Sequence, residues 1–232
     1  MVEVTSIDDA LKNSVLFKDF SANVLSALRG KLSACDFKKG NVICLKGDDS
    51  DCLYVLTKGE LEITVSSLEG KVITLGILSA GDVVGEIGLL DRGPRTANVI
   101  AKTDATLYKL SRDDFDSLLT LFGPQELKAL TSYICNLFRR ATNSLEETAF
   151  MDADTRVVRK IYELYSESGE ETKDSFTLSV SQVELGRMCG LSREAANKAL
   201  SHLENKELLK REYKKIIIPD IERLKAVAGG ET

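Results

Sequence analysis

Residues 84–99 read Val-Gly-Glu-Ile-Gly-Leu-Leu-Asp-Arg-Gly-Pro-Arg-Thr-Ala-Asn-Val. Two glycines, a carboxylate, an arginine and a threonine fall inside one short window flanked by strand-like segments. Gly85 and Gly88 can take backbone angles that other residues avoid, and they let a ligand approach the main chain. Arg95 offers a planar fork of donors suited to phosphate oxygens. Glu86 can accept hydrogen bonds from hydroxyls, and the backbone N–H groups after Arg95 can form a small anion nest. A glycine-rich turn with one arginine is common and most bind nothing; an Arg95 paired at the surface with Asp91 or Glu86 would contribute little. Together these residue types are chemistry for holding a phosphate and a sugar hydroxyl, although the types alone favour a turn that binds nothing.

Around this window, residues 35–110 are broken into short β-branched runs at 41–45, 53–56, 61–65, 72–77, 96–101 and 105–110, separated by glycines and Asp/Ser clusters. That spacing predicts an antiparallel barrel or sandwich, with hairpin turns at Lys58-Gly59-Glu60 and Leu68-Glu69-Gly70-Lys71. Residues 7–34 show helical spacing instead. After residue 110 the helical period returns, with Ser111 as an N-cap. A longer helix follows Gly123-Pro124 and carries the stripe Leu127, Leu130, Ile134, Leu137, Ala141, Ser144, Thr148, Met151. Steps of three and four make this a heptad seam, read as a dimer interface. Residues 152–154 break the helix, another helix covers 155–166, and 168–174 is a polar loop.

The second informative stretch is residues 181–205, SQVELGRMCGLSREAANKALSHLEN. Two helical patterns meet at Cys189-Gly190-Leu191-Ser192, where Gly190 suits a tight turn and Ser192 an N-cap. Leu185, Met188, Leu191, Ala196, Leu200 and Leu203 can form a small core, which leaves Arg193, Glu194, Asn197 and Lys198 on an open face. That is how a recognition helix presents itself to the major groove, with Arg suited to guanine and Glu to cytosine. Residues 208–219 then suggest a two-strand wing with Lys210, Arg211, Lys214 and Lys215 at its tip. Residues 175–218 hold eight basic and five acidic side chains, a local positive balance fit for phosphate contacts.

The whole chain, 232 residues with 43% apolar content and a formal net charge of -5, can bury a core and is no uniformly basic nucleic-acid coat. No run approaches membrane-spanning length and Met1 begins no targeting stretch, so a soluble, cytoplasmic protein is expected. The five cysteines are scattered, the closest two being Cys44 and Cys52, and the single histidine is His202. Disulfides, zinc, iron–sulfur and haem sites are therefore not expected, and no metal or cofactor is assigned. No Ser/His/Asp set or pair of catalytic acids is visible, so no catalytic residue is assigned and the protein is not expected to be an enzyme.

GEIGLL followed by PRTA closely resembles the phosphate-binding cassette of cyclic-nucleotide-binding domains. With LSREAANKAL and the heptad helix between them, the chain resembles, over nearly its whole length, the cAMP receptor protein branch of the Crp/Fnr transcription regulators. The resemblance implies an α+β architecture. Residues 1–123 would form a β-roll (a double-stranded β-helix or jelly roll) that binds a cyclic nucleotide, 124–152 a dimerisation helix and hinge, and 153–232 a winged helix-turn-helix. It implies that Glu86 binds the ribose 2′-hydroxyl, that Gly85 allows close approach, that Arg95, Thr96 and the Ala97 N–H hold the cyclic phosphate, and that Ile63 and Leu78 pack on base and sugar, with Ile87 in the same set. The family's base-contacting Thr-Ser pair falls on Ala141 and Thr142. Ala141 departs from the pattern, so the ligand is cAMP or cGMP, with Asn143 a neighbouring candidate. Arg193, Glu194 and Lys198 match base-reading positions, implying a TGTGA-like palindrome; Ser192 and Asn197 join them. Gln182 stands where the family often carries Arg, at a phosphate contact. The implied partners are a second copy of the chain, palindromic double-stranded DNA, a cyclic nucleotide and RNA polymerase, with no membrane. A regulator active without nucleotide, or gated by another small molecule, is the alternative.

Overall fold

The computed structural model describes residues 6–67, 70, 72–168 and 175–228. The chain divides into two compact units. One is built from the residues up to Val65 with Leu75–Ala141, the other from Ser66–Thr74 and the residues from Thr142 onward. The first opens with α1 (Ile7–Asn13) and α2 (Ala22–Arg29), then β1 (Ser33–Phe37), β2 (Val42–Cys44), β3 (Cys52–Lys58), β4 (Leu61–Ser66), β5 (Val72–Leu78) and β6 (Val83–Val84). The short helix α3 (Glu86–Asp91) precedes β7 (Asn98–Ala101), β8 (Ala105–Ser111), α4 (Arg112–Leu119) and the long helix α5 (Pro124–Phe150). After α5 come α6 (Ala153–Ser168), β9 (Phe176–Leu178), α7 (Gln182–Met188), α8 (Arg193–Asn205), β10 (Lys210–Glu212), β11 (Lys215–Ile218) and α9 (Ile221–Ala228).

The strands form two four-stranded sheets, ordered β1-β8-β3-β6 and β2-β7-β4-β5, whose recorded pairings are antiparallel. Between them lies an apolar cluster of Leu56, Leu61, Val84, Val99, Ala101 and Leu107. A second cluster packs Leu11, Phe17, Phe20, Val24 and Leu28 of the N-terminal helical region against Leu53, Val55, Leu110, Phe115 and Leu118. Strand β3 serves both clusters. Its buried run Cys52, Leu53, Val55, Leu56 therefore lacks the polar alternation of a one-sided strand.

The β-roll follows the sequence reading, with two corrections. Lys58-Gly59-Glu60 is not a hairpin: β3 pairs with β8 and β6, whereas β4 lies in the other sheet, so this turn is a corner that carries the chain between sheets. The Glu60 N–H donates to Thr103 Oγ1 at 2.9 Å and fixes that corner. Strands β1 and β6 replace stretches with no strand signature, because β1 carries polar and small residues and β6 is only two residues long. The helical spacing of residues 7–34 resolves into two helices, and its last two residues begin β1. In the proposed turn at 68–71, residues 68, 69 and 71 lie outside the described residues, as do 169–174 of the polar loop.

The α5 seam is also corrected. Leu130 is 8% exposed and packs in the core of the first unit, and Leu137 is half-buried, whereas Phe138 is 74% and Leu145 70% exposed. The exposed apolar ridge is Leu127, Ile134, Phe138, Ala141 and Leu145. Met151 lies just beyond the helix, and the side chain of Thr148 is outside the described part of the structure. Residues three apart sit about 60° from one another around a helix, so two neighbouring stripes share the heptad spacing and only burial tells them apart.

Candidate functional site

The cassette begins where β6 ends. Gly85 has φ 86, the left-handed N-cap of α3. A Cβ built on it would lie 1.7 Å from Arg95 Nη1 and 3.0 Å from the Cys52 carbonyl oxygen. Only glycine lets the main chain come this close to the guanidinium. Across the loop, the Arg95 N–H donates to Asp48 O and the Arg95 carbonyl accepts from Gly47 N–H, both at 2.8 Å, so the segment between β2 and β3 clamps the arginine backbone. Beneath α3, the Arg112 guanidinium donates to the carbonyls of Ser50, Gly88 and Leu89 and ties the helix to the start of α4.

Arg95 is 6% exposed and Glu86 8%. The Arg95 Nη2 donates to Cys52 Sγ at 3.2 Å, and Nε and Nη1 have no hydrogen-bond partner. Among the described residues, no carboxylate lies within ion-pair distance of Arg95. A buried guanidinium with free donors is costly, and its natural complement is an anion with several acceptor oxygens. Burial raises the Glu86 carboxyl above the usual range, while the peptide N–H groups at Glu86 and Gly85, the Tyr133 hydroxyl and the Arg95 charge pull it back toward the ionised form. Burial and the Glu86 charge raise the Tyr133 phenol, which keeps it a donor. The site therefore brings together two buried groups, a guanidinium with unpartnered donors and a carboxyl.

The other expected ligand residues are distributed as follows. Ile63 on β4 and Leu78 on β5 are half-buried against the inter-sheet cluster. Ile87 and Thr96 are exposed, and Ala97 is buried. Thr142 and Asn143 lie on α5 in the portion belonging to the second unit. Sequence reasoning missed Cys52, Tyr133 and Arg112. None lies in the cassette, and no local pattern marks them.

In the second unit, Ser181 Oγ accepts from Glu184 N–H and Ser192 Oγ from Ala195 N–H, capping α7 and α8. Gly190 turns the chain with φ 64. The two helices cross closely enough that a Cβ on Gly186 would meet Ala196 Cβ at 2.5 Å. Val157, Ile161, Leu185, Leu200, Leu203, Leu209, Ile216 and Leu224 fill the core. Ser192, Arg193, Glu194, Asn197 and Lys198 are exposed together at the N-terminal part of α8, and Gln182 is half-buried. Strands β9, β11 and β10 form the wing sheet, with Tyr213 and Lys214 at its tip. Lys210, Lys214 and Lys215 are exposed. Arg211 corrects the expected tip: its Nε donates to Glu204 Oε2 at 2.7 Å and its N–H to Oε1 at 2.9 Å, so it braces the wing against α8. His202 Nδ1 bonds the Asp154 carboxylate, joining α8 to α6.

A β-roll with a buried anion cradle and a winged helix-turn-helix in one chain define a ligand-sensing transcription regulator. Residues 34–121 match the cyclic nucleotide-binding domain family and residues 155–227 the Crp-like helix-turn-helix domain. Over 220 residues the chain is 27% identical to the CRP-like cAMP-activated global transcriptional regulator of Mycobacterium tuberculosis, covering 94% of this chain and 98% of the relative. It is 28% identical over 192 residues to the cAMP-activated global transcriptional regulator CRP of Salmonella typhimurium, covering 81% and 91%. The fold is similar to that of the c-di-GMP-responsive global regulator CLP of Xanthomonas campestris, with TM-score 0.76, 24% identity, and coverage of 85% of this chain and 99% of that one. The chain belongs to the Crp/Fnr family of transcription regulators. It is a cyclic-nucleotide-binding, DNA-binding regulator and not an enzyme. Among the described residues there is no cluster of metal-ligating side chains, and no helix is long and apolar enough to cross a membrane.

Proposed function

We propose that the protein is a cytoplasmic, homodimeric transcription regulator whose affinity for a TGTGA-like palindrome is set by a cyclic nucleotide, cAMP first and cGMP second. The observation that carries this reading is the buried Arg95 guanidinium with two unpartnered nitrogens. A cyclic phosphate would supply the missing acceptors, helped by Thr96 and the Ala97 N–H. Glu86 would take the ribose hydroxyl, Gly85 would let the sugar approach, and Ile63, Leu78 and Ile87 would offer apolar contact. Thr142 and Asn143 would choose the base. The cAMP-activated relatives support the same ligand class.

In this reading residues 1–123 sense, 124–152 dimerise and 153–232 bind DNA. Arg193, Glu194 and Lys198 would read bases, while Gln182, Ser192 and Asn197 complete the contact. Two recognition helices in a dimer would meet successive major grooves about 34 Å apart. The nucleotide acts by population shift: it favours whichever arrangement of the two DNA-binding domains it binds more tightly. RNA polymerase would be the downstream partner. Titration with cAMP and with cGMP tests the reading: saturable binding of either at one site per chain is expected, and no binding of either contradicts it.

A further inference from the structure

Every two-donor edge of a guanidinium includes Nη2, which pairs with Nε on one side and with Nη1 on the other. The two unpartnered nitrogens of Arg95 are Nε and Nη1, and the shared one, Nη2, is bonded to Cys52 Sγ. Nη2 carries one N–H toward each edge, so a phosphate oxygen pair that takes Arg95 on the edge Cys52 occupies competes directly with the thiol, and on the other edge it shares the nitrogen that Cys52 holds. Cys52 is 1% exposed and sits at the first position of β3, the strand behind the cradle. Its sulfur is a weak acceptor. Burial raises the thiol, and the Asp51 carboxylate adds to the rise, against the lowering effect of the Tyr54 hydroxyl and the Arg95 charge. A carboxylate in its place would satisfy Arg95 permanently, and an aliphatic side chain would leave Nη2 without a protein partner.

We infer that Cys52 is an affinity-setting residue of the nucleotide site, a weak internal stand-in for the cyclic phosphate that keeps Arg95 aimed while leaving most of its hydrogen-bonding capacity for the ligand. The inference rests on the cassette being a cyclic-nucleotide site. It makes the acceptor strength of the side chain at position 52 run opposite to ligand affinity. A stronger internal acceptor stabilises the nucleotide-free protein and weakens binding; a missing acceptor does the reverse. Position 52 thereby tunes the nucleotide concentration at which the regulator responds, without touching ribose or base.

The test compares Cys52→Thr with Cys52→Val in the full-length protein, because the two replacements differ by little more than a hydroxyl for a methyl. Calorimetric titration with cAMP and cGMP should show binding about tenfold weaker for Cys52→Thr than for Cys52→Val, the scale of one hydrogen bond to a charged group. Thermal unfolding without nucleotide should give the opposite order, with Cys52→Thr the more stable. Cys52→Ser, which adds no methyl to a packed site, should bind more weakly than the unsubstituted protein, and it carries the test if the branched variants do not fold. Equal affinities for Cys52→Thr and Cys52→Val, tighter binding by Cys52→Thr, or a Cys52→Ser protein that binds as tightly as the unsubstituted one would each overturn the inference. Failure of the unsubstituted protein to bind either nucleotide would instead overturn the reading of the cassette.

Discussion

At the residue scale, the feature that carries the proposed function is a set of unmade hydrogen bonds. Arg95 is buried with Nε and Nη1 unpartnered, a cost to the fold that the proposed cyclic phosphate would remove. Arg95→Met keeps the apolar stem and deletes the unsatisfied donors. Unfolding of the nucleotide-free variant should occur at or above the temperature of the unsubstituted protein, while cyclic-nucleotide affinity falls at least about a hundredfold, two charge-assisted bonds being involved. A large loss of stability in calorimetric melts would show Arg95 to be structural instead. Arg95 and Glu86 are legible in the sequence as a candidate pair because they lie nine residues apart in one short window. Cys52 is not legible: its partner is 43 residues away, and the β3–β8 pairing that seats it depends on the whole sheet.

At the element scale, α5 is anchored at its start. Glu126 Oε2 accepts from Gly123 N–H and Oε1 from Ser21 N–H, each at 2.9 Å. This is the reciprocal half of a capping box, extended to the N-terminus of α2. These bonds lower the Glu126 carboxyl to about 2, the Ser21 contacts contributing most. A folded value below the unfolded one means that Glu126 stabilises the fold above the ordinary carboxylate range, and that this contribution disappears as pH falls toward about 2. Glu126→Gln should therefore lower stability in urea melts at pH 7 and converge with the unsubstituted protein in acid; an equal deficit at both pH values would contradict the assignment. Farther along α5, the ridge Leu127, Ile134, Phe138, Ala141, Leu145 makes a second, sharper forecast. If the proposed homodimer forms through this ridge, Phe138→Glu should convert it to a monomer in sedimentation. Leu130→Ala should cost about 2–5 kcal/mol of stability, the usual toll of truncating a buried leucine, and leave the dimer intact. The reverse pattern would restore the stripe that spacing alone suggested. Sequence periodicity found the helix and its amphipathicity, but the choice between adjacent stripes is made by what packs on Leu130: a core of residues from far along the chain.

At the scale of the whole molecule, the chain carries two recognition domains, a cyclic nucleotide-binding domain and a Crp-like helix-turn-helix domain, and the proposed function couples them. Both ends were legible because each is a local device: a capped, slim helix after a tight turn, and a glycine–arginine loop. The Lys58–Glu60 corner between sheets was not, since a tight turn looks the same whether the next strand pairs with the last or crosses to another layer. The exposed face of α8 predicts that Arg193→Ala loses discrimination between a TGTGA-like palindrome and a scrambled duplex, rather than only salt-sensitive affinity. Gel shifts that keep the same preference would remove Arg193 from base reading. Coupling itself must be reciprocal: if nucleotide favours the DNA-binding form, DNA must tighten nucleotide binding by the same factor. The decisive measurement is calorimetric titration of the full-length protein with cAMP and with cGMP, each with and without the palindromic duplex. Saturable nucleotide binding that tightens about 5- to 150-fold when DNA is present is the expected result. No binding of either nucleotide, or an affinity indifferent to DNA, would contradict a nucleotide-switched regulator.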